Sequence, residues 1–341
     1  VKSVADSKKV PAGYVRSTTA PELPTTITPS NNVIKVYYVI DEDAILTYSV
    51  EHYLDGETIP FDITTQQSVL VARPEVTSVS DSDKLPSGYT RNKVEPELPT
   101  SITKENDVIK VTYTENEVTI NYIADANGSV SNDSETIPAV NGTATGSTAT
   151  ADTGYHFVNW KNAGGTVVSS EAEFVPKKVN GLNVADTYTA YFEENDKITI
   201  NYIANEGGVV SKGSETLSPA TGTAEGSKAT ASPGYRFVSW TDSKGNEVGT
   251  APEFIPGKVD GAYEGATYYA NFDENEAVTI NYEARTGGSV DKRSENLLPA
   301  TDTATGSTAT AAAGYTFVNW TDENEKEVST NATFVPAKVD G

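Results

Sequence analysis

The sequence predicts a mainly β protein, arranged as an elongated tandem array of small β-rich modules. Long segments recur at fixed intervals, which is the mark of a repeat architecture. Within these segments apolar residues alternate with polar ones at the two-residue period of a half-buried strand. No segment has convincing helical periodicity, and a short helix over 170–182 is only a minor alternative.

The C-terminal part of the chain contains three copies of one repeat. A Gly-Tyr-x-Phe-Val-x-Trp box occurs three times and ends at Trp160, Trp240 and Trp320. Successive tryptophans therefore lie 80 residues apart. The flanking segments align without a gap, so each interval is expected to hold one self-contained β unit. The predicted modules are 117–196, 197–276 and 277–341, the last of which stops before its final strand.

The N-terminal part contains a different repeat. The segment VKSVADSKKVPAGY at residue 1 matches VTSVSDSDKLPSGY at residue 76, an offset of 75 residues. Residues 1–40 are therefore predicted to be the C-terminal half of one module, and residues 41–116 a complete module. Acidic joints at 114–117, 193–197 and 273–277 are short and lack Gly/Ser-rich tracts, so we expect successive modules to be closely coupled.

Differences between the copies indicate which face of each strand is buried. In VTINYIA, Ile120 and Tyr122 share one face, whereas Ile123 lies on the other, where the third copy has Glu283. Because a charged residue rarely lies unpaired in a core, Ile123 is expected to face solvent. The same comparison predicts further inward-facing residues: Val118, Ala124, Ala149, Ala151, Tyr188, Ala190, Phe192, Ile109, Val111 and Tyr113.

The aromatic box is predicted to supply the core of each module. The residue after its tyrosine is His156, Arg236 or Thr316, and this variability indicates a solvent-facing position. The tyrosine and phenylalanine on either side should therefore face inward. The predicted core residues are Tyr155, Phe157, Tyr235, Phe237, Tyr315 and Phe317.

The tryptophan of the box has two interpretations. Strict alternation would place Trp160 on the same face as His156. Either the strand bulges before the tryptophan and turns it inward, or the ring is partly exposed and offers a contact for a glycan or a neighbouring module. The bulge is favoured because tryptophan is mostly buried in folded proteins. The contact alternative names Trp160, Trp240 and Trp320.

Composition excludes several classes of function. The chain has 48 acidic and 25 basic residues, and its net charge of −23 repels phosphate backbones, so no nucleic-acid partner is expected. No apolar run approaches the roughly 20 residues of a membrane-spanning helix, so no membrane insertion is expected. The absence of cysteine excludes disulfides, thiolate zinc sites and cysteine nucleophiles.

No catalytic site is predicted. The two histidines are His52 and His156, and the other copies replace His156 with arginine and threonine. There is no Gly-x-Ser-x-Gly nucleophile motif. Carboxylate pairs are abundant, but most acids lie in turns and joints, where solvated charge is the simpler interpretation. We therefore expect the protein not to be an enzyme and to need no cofactor.

Two further chemistries are weaker alternatives. The acidic runs at 193–196 and 273–276 supply hard oxygen ligands suited to Ca²⁺ at the module junctions, although no EF-hand-type loop is present. A Lys–Asn isopeptide cross-link would need a buried trio, whereas Asn121 is predicted to face solvent. The trios in question are Asn121, Glu135 and Lys178; Asn201, Glu215 and Lys258; and Asn281, Glu295 and Lys338.

The motifs resemble two families of bacterial surface repeat. The run INYIANEGGVVS, the GYRFVSW box and the closing ATYYANF resemble the divergent InlB B-repeat, or Listeria–Bacteroides repeat. The run YSVEHYLDGE, with LPSGYTRNKVEPELPTSITKENDVIKVTYT, is similar to the MucBP, or mucin-binding protein, module. The resemblance implies β-grasp-like modules in secreted or wall-anchored proteins of Gram-positive bacteria, and it implies no catalytic residues.

The resemblance also implies the expected role. The chain is expected to be extracellular, anchored to the cell wall through a segment outside this sequence. It would act as a stalk or spacer of an adhesin, projecting a binding domain, with neighbouring modules of the same chain as its partners. In the alternative, the modules themselves bind host glycan or mucin.

Overall fold

A computed structural model describes residues 1–340 of the chain, and these residues contain β-strands and no helix. The prediction of a mainly β protein built from repeated small sheets is confirmed. The minor helical alternative at 170–182 is wrong, because this segment forms a short strand flanked by turns and extended backbone. Nothing helical in the described part of the chain is long and apolar enough to cross a bilayer.

The N-terminal strands form small antiparallel and mixed sheets. Strands β1 and β2 pair with each other, β5 pairs with β7, and a four-stranded sheet has the order β4-β3-β8-β6. The core beneath the four-stranded sheet includes Ile109, Val111 and Tyr113, each fully buried as predicted. The bounds are β1 Tyr14–Ala20, β2 Lys35–Ile40, β3 Ile45–Leu54, β4 Asp62–Leu70, β5 Glu75–Val76, β6 Tyr89–Glu95, β7 Thr100–Ser101 and β8 Val108–Glu115.

The first copy of the C-terminal repeat contains two sheets. A five-stranded sheet has the order β11-β9-β16-β13-β14, and a three-stranded sheet has the order β10-β12-β15. The bounds are β9 Glu117–Ala124, β10 Gly128–Val130, β11 Ser134–Pro138, β12 Ser147–Ala151, β13 Tyr155–Lys161, β14 Val167–Ser169, β15 Glu173–Phe174 and β16 Thr187–Glu194.

The second copy repeats this arrangement strand for strand. Its five-stranded sheet has the order β19-β17-β24-β21-β22, and its three-stranded sheet the order β18-β20-β23. The bounds are β17 Ile198–Ala204, β18 Gly208–Val210, β19 Ser214–Leu217, β20 Ser227–Ala231, β21 Tyr235–Thr241, β22 Glu247–Gly249, β23 Glu253–Phe254 and β24 Ala266–Glu274.

In the third copy the three-stranded sheet is complete, whereas the larger sheet is reduced to two separate pairs. These sheets have the orders β26-β28-β31, β25-β27 and β29-β30. The bounds are β25 Val278–Asn281, β26 Gly288–Val290, β27 Ser294–Leu297, β28 Ser307–Ala311, β29 Trp320–Thr321, β30 Glu327–Ser329 and β31 Thr333–Phe334.

The last strand of each complete copy, which we call the closing strand, lies at the centre of the larger sheet. In the second copy β24 runs parallel to β17, with Tyr268 opposite Tyr202, and antiparallel to β21, with Ala270 opposite Trp240. Parallel neighbours need a long crossover connection. The pairing of β17 with β24 meets this need, because they are the first and last strands of the copy and the rest of the copy connects them. Ala270 of the closing strand is buried in one cluster with Ile200, Tyr202 and Trp240.

A bulge orients the tryptophan. Pairing of β21 with β24 runs from Phe237 opposite Phe272 to Ser239 opposite Asn271, so Val238 is an extra residue in the ladder. The extra residue reverses the alternation, and Trp240 points into the core with 0% of its surface exposed. The predicted bulge is therefore confirmed in the second copy.

Contacts divide the chain into two compact units. The first unit holds the N-terminal sheets and most of the first copy, and the second holds the second and third copies with three short pieces of the first. The first unit comprises Val1–Ala124, Val130–Ala149 and Asn159–Ala190, and the second Asp125–Ser129, Thr150–Val158 and the residues from Tyr191 on.

Candidate functional site at the module junctions

The three tryptophans are anchors of the core rather than contacts for a ligand. Trp160 and Trp240 are 0% exposed and Trp320 is 8% exposed. Each indole Nε1 donates a hydrogen bond of 3.0–3.1 Å to a backbone carbonyl, that of Ala172, Pro252 or Ala332. The alternative in which these rings contact a glycan or a neighbouring module is wrong for Trp160 and Trp240, which have no exposed surface, and Trp320 exposes only 8% of its surface.

The predicted aromatic core is formed in the first two copies. Phe157 packs edge-on against Phe192, and Phe237 against Phe272, in T-shaped pairs at 6.0 and 5.8 Å between ring centroids. Tyr155, Tyr235 and Phe317 are half-buried. The prediction that Tyr315 faces the core is wrong, because 58% of its surface is exposed. No described strand covers it, whereas β24 pairs with the equivalent Tyr235.

A glycine that precedes a tyrosine contacts the module that follows; it is Gly154 or Gly234 in the aromatic box and Gly88 at the matching place in the N-terminal module. Gly88, Gly154 and Gly234 all have positive φ, at +91°, +86° and +81°. A Cβ built on Gly154 would lie 2.9 Å from the Ala262 Cβ, and one on Gly234 would lie 2.8 Å from the Ala300 Cβ. These alanines belong to the next copy, so only a glycine satisfies both the turn and the close approach.

At three successive joints, a glutamate at the end of one module accepts hydrogen bonds from a turn of the next. We call this turn the clasp turn; it comprises residues 138–142, 218–222 and 298–302. In the last joint, one carboxylate oxygen of Glu274 accepts the backbone N–H groups of Ala300 at 2.6 Å and Thr301 at 2.8 Å. The other accepts the Thr301 hydroxyl at 2.8 Å. Hydrogen bonds to an ionised acceptor are stronger than neutral ones.

The same arrangement occurs at the two earlier joints. Glu194 accepts from the backbone of Ala220 and Thr221 and from the Thr221 hydroxyl, at 2.7–2.8 Å. Glu115 accepts from the backbone of Val140 and from the backbone and side-chain amides of Asn141, at 2.5–2.8 Å. The grip is therefore independent of which module type precedes the joint, because Glu115 ends the N-terminal module and Glu194 ends a C-terminal copy.

Two more contacts complete each junction. The residue after the glutamate donates its backbone N–H to the carbonyl of the glycine described above; these pairs are Asn116 with Gly88, Asn195 with Gly154 and Asn275 with Gly234, at 2.7–2.9 Å. A lysine donates to the carbonyl of the clasp-turn residue whose N–H the glutamate holds; these pairs are Lys178 with Val140, Lys258 with Ala220 and Lys338 with Ala300. We call the glycine, glutamate, asparagine, lysine and clasp turn together the junction clasp.

The clasp stabilises the ionised form of its glutamates. Hydrogen bonds from the backbone of Asn141 and Thr221 lower the pKa of Glu115 and Glu194 below the ordinary value of 4.5. Burial alone would raise the pKa of Glu274, but the hydrogen bonds from Thr301 and Ala300 outweigh it, and the pKa is lowered. Each carboxylate is therefore charged at neutral pH and holds the N–H groups of the turn electrostatically.

Sequence reasoning identified the acidic joints but missed this use of their acids. The available signal was a Glu-Asn dipeptide at 115–116, 194–195 and 274–275, together with a lysine recurring at 178, 258 and 338. The comparison of copies treated each module alone, so residues whose partners lie in the next module carried no signal.

The structure does not assemble the isopeptide trio. In the first copy Glu135 lies opposite Ile120 and so faces away from Asn121. Its carboxylate instead accepts from the Tyr122 hydroxyl at 2.5 Å and from Thr145 at 2.8 and 2.9 Å. Lys178 is engaged in the junction clasp. An amide bond among Asn121, Glu135 and Lys178 would require these contacts to break.

Calcium at the junctions stays a prediction. Residues 1–340 include no group of three or more His, Asp or Glu side chains placed to hold a metal ion. The carboxylates of Glu194 and Glu274 are already acceptors in the clasps. The histidines are not grouped: His52 is buried against the Tyr113 hydroxyl at 2.9 Å, and His156 contacts Asn195 at 3.0 Å.

Comparison with known proteins identifies the C-terminal repeat. A family profile described as the divergent InlB B-repeat domain matches three segments, 118–196, 198–260 and 278–339, which together make up more than half of the chain. Each match falls within one of the three copies of the C-terminal repeat. No curated protein matches the chain.

Proposed function

The chain belongs to the divergent InlB B-repeat domain family, and from this premise we propose that it is the spacer region of a bacterial cell-surface adhesin. In this proposal the modules hold a binding domain at a distance from the cell. The protein is extracellular and is anchored to the wall of a Gram-positive cell through a segment outside this sequence. Residues 1–116 contribute MucBP-like modules to the same spacer.

The observation that carries this proposal is the junction clasp at three successive joints. A spacer transmits position only if its modules are held at fixed angles, since a freely tethered chain averages over many orientations. Each clasp combines close packing against a glycine, hydrogen bonds from the clasp turn to a charged glutamate and a hydrogen bond from a lysine to the same turn. This use of residues favours mechanical coupling over ligand binding. The family is a repeat-domain family and not an enzyme family, which fits a role without catalysis.

Distances between spin labels on successive copies test the proposal. Ser243 and Glu323 are exposed and occupy equivalent positions in the second and third copies. Because the chain has no cysteine, Ser243→Cys with Glu323→Cys creates one unique pair for labelling. Pulsed electron spin resonance should show a single narrow distance distribution. The variant Glu274→Ala should broaden it, because the clasp loses its carboxylate.

A matched control lies two residues away. Glu276 is an exposed acid in the same joint, and Glu276→Ala changes the charge equally without removing the clasp carboxylate. It should leave the distribution narrow. A broad distribution in the unmodified protein, or equal broadening by both variants, would reject the coupled spacer.

The alternative proposal is that the modules bind host glycan or mucin. It loses its strongest sequence argument because the three tryptophans are buried. We therefore place the spacer role first. A glycan array probed with the full chain tests the alternative directly, with specific saturable binding as the result that would reverse this order.

A further inference from the structure

The Asn-Gly dipeptides of the sequence all lie in the first copy of the C-terminal repeat. They are Asn127-Gly128, Asn141-Gly142 and Asn180-Gly181. In such a dipeptide the asparagine side chain is open to attack by the backbone nitrogen of the glycine, because glycine has no Cβ to hinder the approach. Each dipeptide is therefore a place where ammonia can leave and a carboxyl group can replace an amide.

Conversion of Asn180 to aspartate would change little in the structure. The equivalent residue of the second copy is Asp260, and the two residues have nearly the same φ, 51° and 50°. Both belong to two-residue turns that a pair of backbone hydrogen bonds closes. An aspartate is thus already the native residue of this turn in the second copy.

Asn141 differs because two of its N–H groups hold the clasp glutamate. Its backbone N–H donates to one carboxylate oxygen of Glu115 at 2.6 Å, and its side-chain Nδ2 donates to the other at 2.8 Å. Nδ2 is the atom that deamidation removes. Thr221 and Thr301 make the equivalent side-chain contact through a hydroxyl group. Among the clasps within residues 1–340, this is the one whose glutamate depends on a side-chain amide.

The closed joint restrains the reaction. The Gly142 N–H donates to the Pro138 carbonyl at 3.2 Å. The Asn183 side-chain amide donates to the carbonyls of Pro138 and Gly142, at 2.8 and 2.9 Å. While these bonds hold and Glu115 holds Nδ2, the Gly142 nitrogen does not turn onto the Asn141 side chain. Attack therefore requires the clasp turn to leave the glutamate.

We propose that Asn141 is a deamidation site that makes a transient opening of this joint permanent. Once the clasp turn is released, the Gly142 nitrogen bonds to the Asn141 Cγ and gives up its proton. The Cγ–Nδ2 bond breaks, and ammonia leaves with that proton. Water then adds its hydroxyl to one carbonyl of the succinimide ring and returns a proton to the ring nitrogen, which opens the ring to aspartate or isoaspartate.

The product no longer fits the clasp. A carboxylate at residue 141 would lie where Nδ2 now donates to Glu115, so that an attraction becomes a repulsion between like charges. Lys178, which donates to the Val140 carbonyl at this joint, would face two carboxylates instead of one. In isoaspartate the added main-chain methylene also displaces the backbone N–H groups that the glutamate holds.

Peptide mapping of the incubated full chain by mass spectrometry tests the site. At mildly alkaline pH, a carboxyl group should accumulate at residue 141 with time. Glu115→Gln should accelerate this reaction at least about fivefold, since hydrogen bonds to a charged acceptor contribute more than neutral ones. The rate at Asn127 in the same protein should stay unchanged.

Glu117→Gln is the matched control for charge. Glu117 is an exposed acid two residues from Glu115, and this variant should leave the rate at residue 141 unchanged. The absence of reaction at residue 141 in Glu115→Gln, or equal acceleration by both variants, would overturn the proposal.

Variants of Asn141 test the consequence for the joint. Asn141→Asp represents the modified protein, and Asn141→Thr introduces the residue that the other clasps have at this position. Hydrogen exchange at the Val140 N–H, which donates to Glu115 at 2.5 Å, should be at least about fivefold faster in Asn141→Asp, because two neighbouring carboxylates repel. It should be unchanged in Asn141→Thr. Equal protection of Val140 in the two variants would show that the joint tolerates the carboxylate, and the proposal would fail.

Discussion

Among the described residues, the second copy includes a closing strand and the third does not, and this contrast separates two layers of the module. In the second copy β21 spans seven residues and the bulged Val238 is 39% exposed. In the third copy, where the described residues include no closing strand, β29 spans two residues and Val318 is 74% exposed. The larger sheet therefore depends on the closing strand for its order.

The other layer, the three-stranded sheet, forms without the closing strand. The three-stranded sheet has the same pairings in both copies, with Ser227 opposite Phe254 and Ser307 opposite Phe334. The hydrogen bond from the tryptophan indole to a backbone carbonyl is also kept, at 3.1 Å for Trp240 and 3.0 Å for Trp320. The small sheet and its tryptophan thus form a local unit, to which the closing strand adds the rest of the core.

The largest expected difference between the copies concerns the tryptophans. Trp240→Ala should destabilise the second copy by about 3–5 kcal/mol, the range for removing a large buried aromatic. Trp320→Ala should destabilise the third copy less, because 8% of the Trp320 surface is exposed, whereas Trp240 is fully buried. Hydrogen exchange measured by mass spectrometry resolves the two copies in one protein. Equal losses in both would show that the closing strand contributes little to the tryptophan's environment.

Alanine variants of two glycines of the aromatic box should distinguish the cost of backbone strain in the turn from the cost of overpacking the junction. Gly234→Ala introduces a Cβ at positive φ and also against Ala300, whereas Gly314 has a similar φ of +83° and open space around its built Cβ. Both variants carry the strain of the left-handed turn, about 1–2 kcal/mol. Gly234→Ala should lose about 1–3 kcal/mol more by overpacking the joint.

Chemical denaturation of the two glycine variants measures this difference. Gly234→Ala should additionally broaden the spin-label distance distribution across the joint, and Gly314→Ala should not. Identical behaviour of the two variants would remove the box glycine from the junction clasp.

The tyrosine–glutamate pair should behave alike in the two copies. Tyr202 donates to Glu215 at 2.6 Å, and Tyr282 donates to Glu295 at 2.5 Å. Tyr202→Phe and Tyr282→Phe should each destabilise their copy by about 1.5–3 kcal/mol, the range for a hydrogen bond to a charged group. No closing-strand residue takes part in either hydrogen bond, although Tyr268 stacks on the Tyr202 ring. Unequal losses by exchange mass spectrometry would contradict the division into two layers.

The smallest expected effect is the response of the third copy to acid. The hydrogen bond from Tyr282 lowers the pKa of Glu295 to about 2, with burial acting against it and Thr305 and Gly306 adding to it. A depressed carboxylate pKa stabilises the folded state above the ordinary value of 4.5, and this contribution disappears as the pH falls toward 2. The melting temperature should therefore decline over this interval.

Carbon-13 NMR of the Glu295 carboxyl group checks the titration directly. Glu295→Gln should reduce the decline in melting temperature assigned to the third copy. An unshifted titration near the ordinary value would show that the hydrogen bonds do not favour the charged form.

Much of the module was predictable because its determinants are local. Variation among the copies located the solvent face at Ile123 and the buried face at Tyr122, since a strand repeats its environment every second residue. The same alternation left two interpretations of the tryptophan, a bulge that turns the ring inward or a partly exposed ring. Alternation alone does not distinguish them, because a bulge depends on how the neighbouring strand pairs.

Other features required the tertiary structure. Tyr315 is identical in sequence to Tyr235, but its burial depends on a strand that pairs with it from far along the chain. Glu194 looked like a solvated acid of a short joint, although its carboxylate holds Ala220 and Thr221 of the following copy.

The sequence by itself determined the β class, the number and length of the repeats and the faces of their strands, because those follow from short-range periodicity and from comparison of the copies. Only the tertiary structure decided the inward turn of the tryptophans and the clasps between modules. Each of these depends on the partner that a residue meets in space, and sequence distance does not specify that partner.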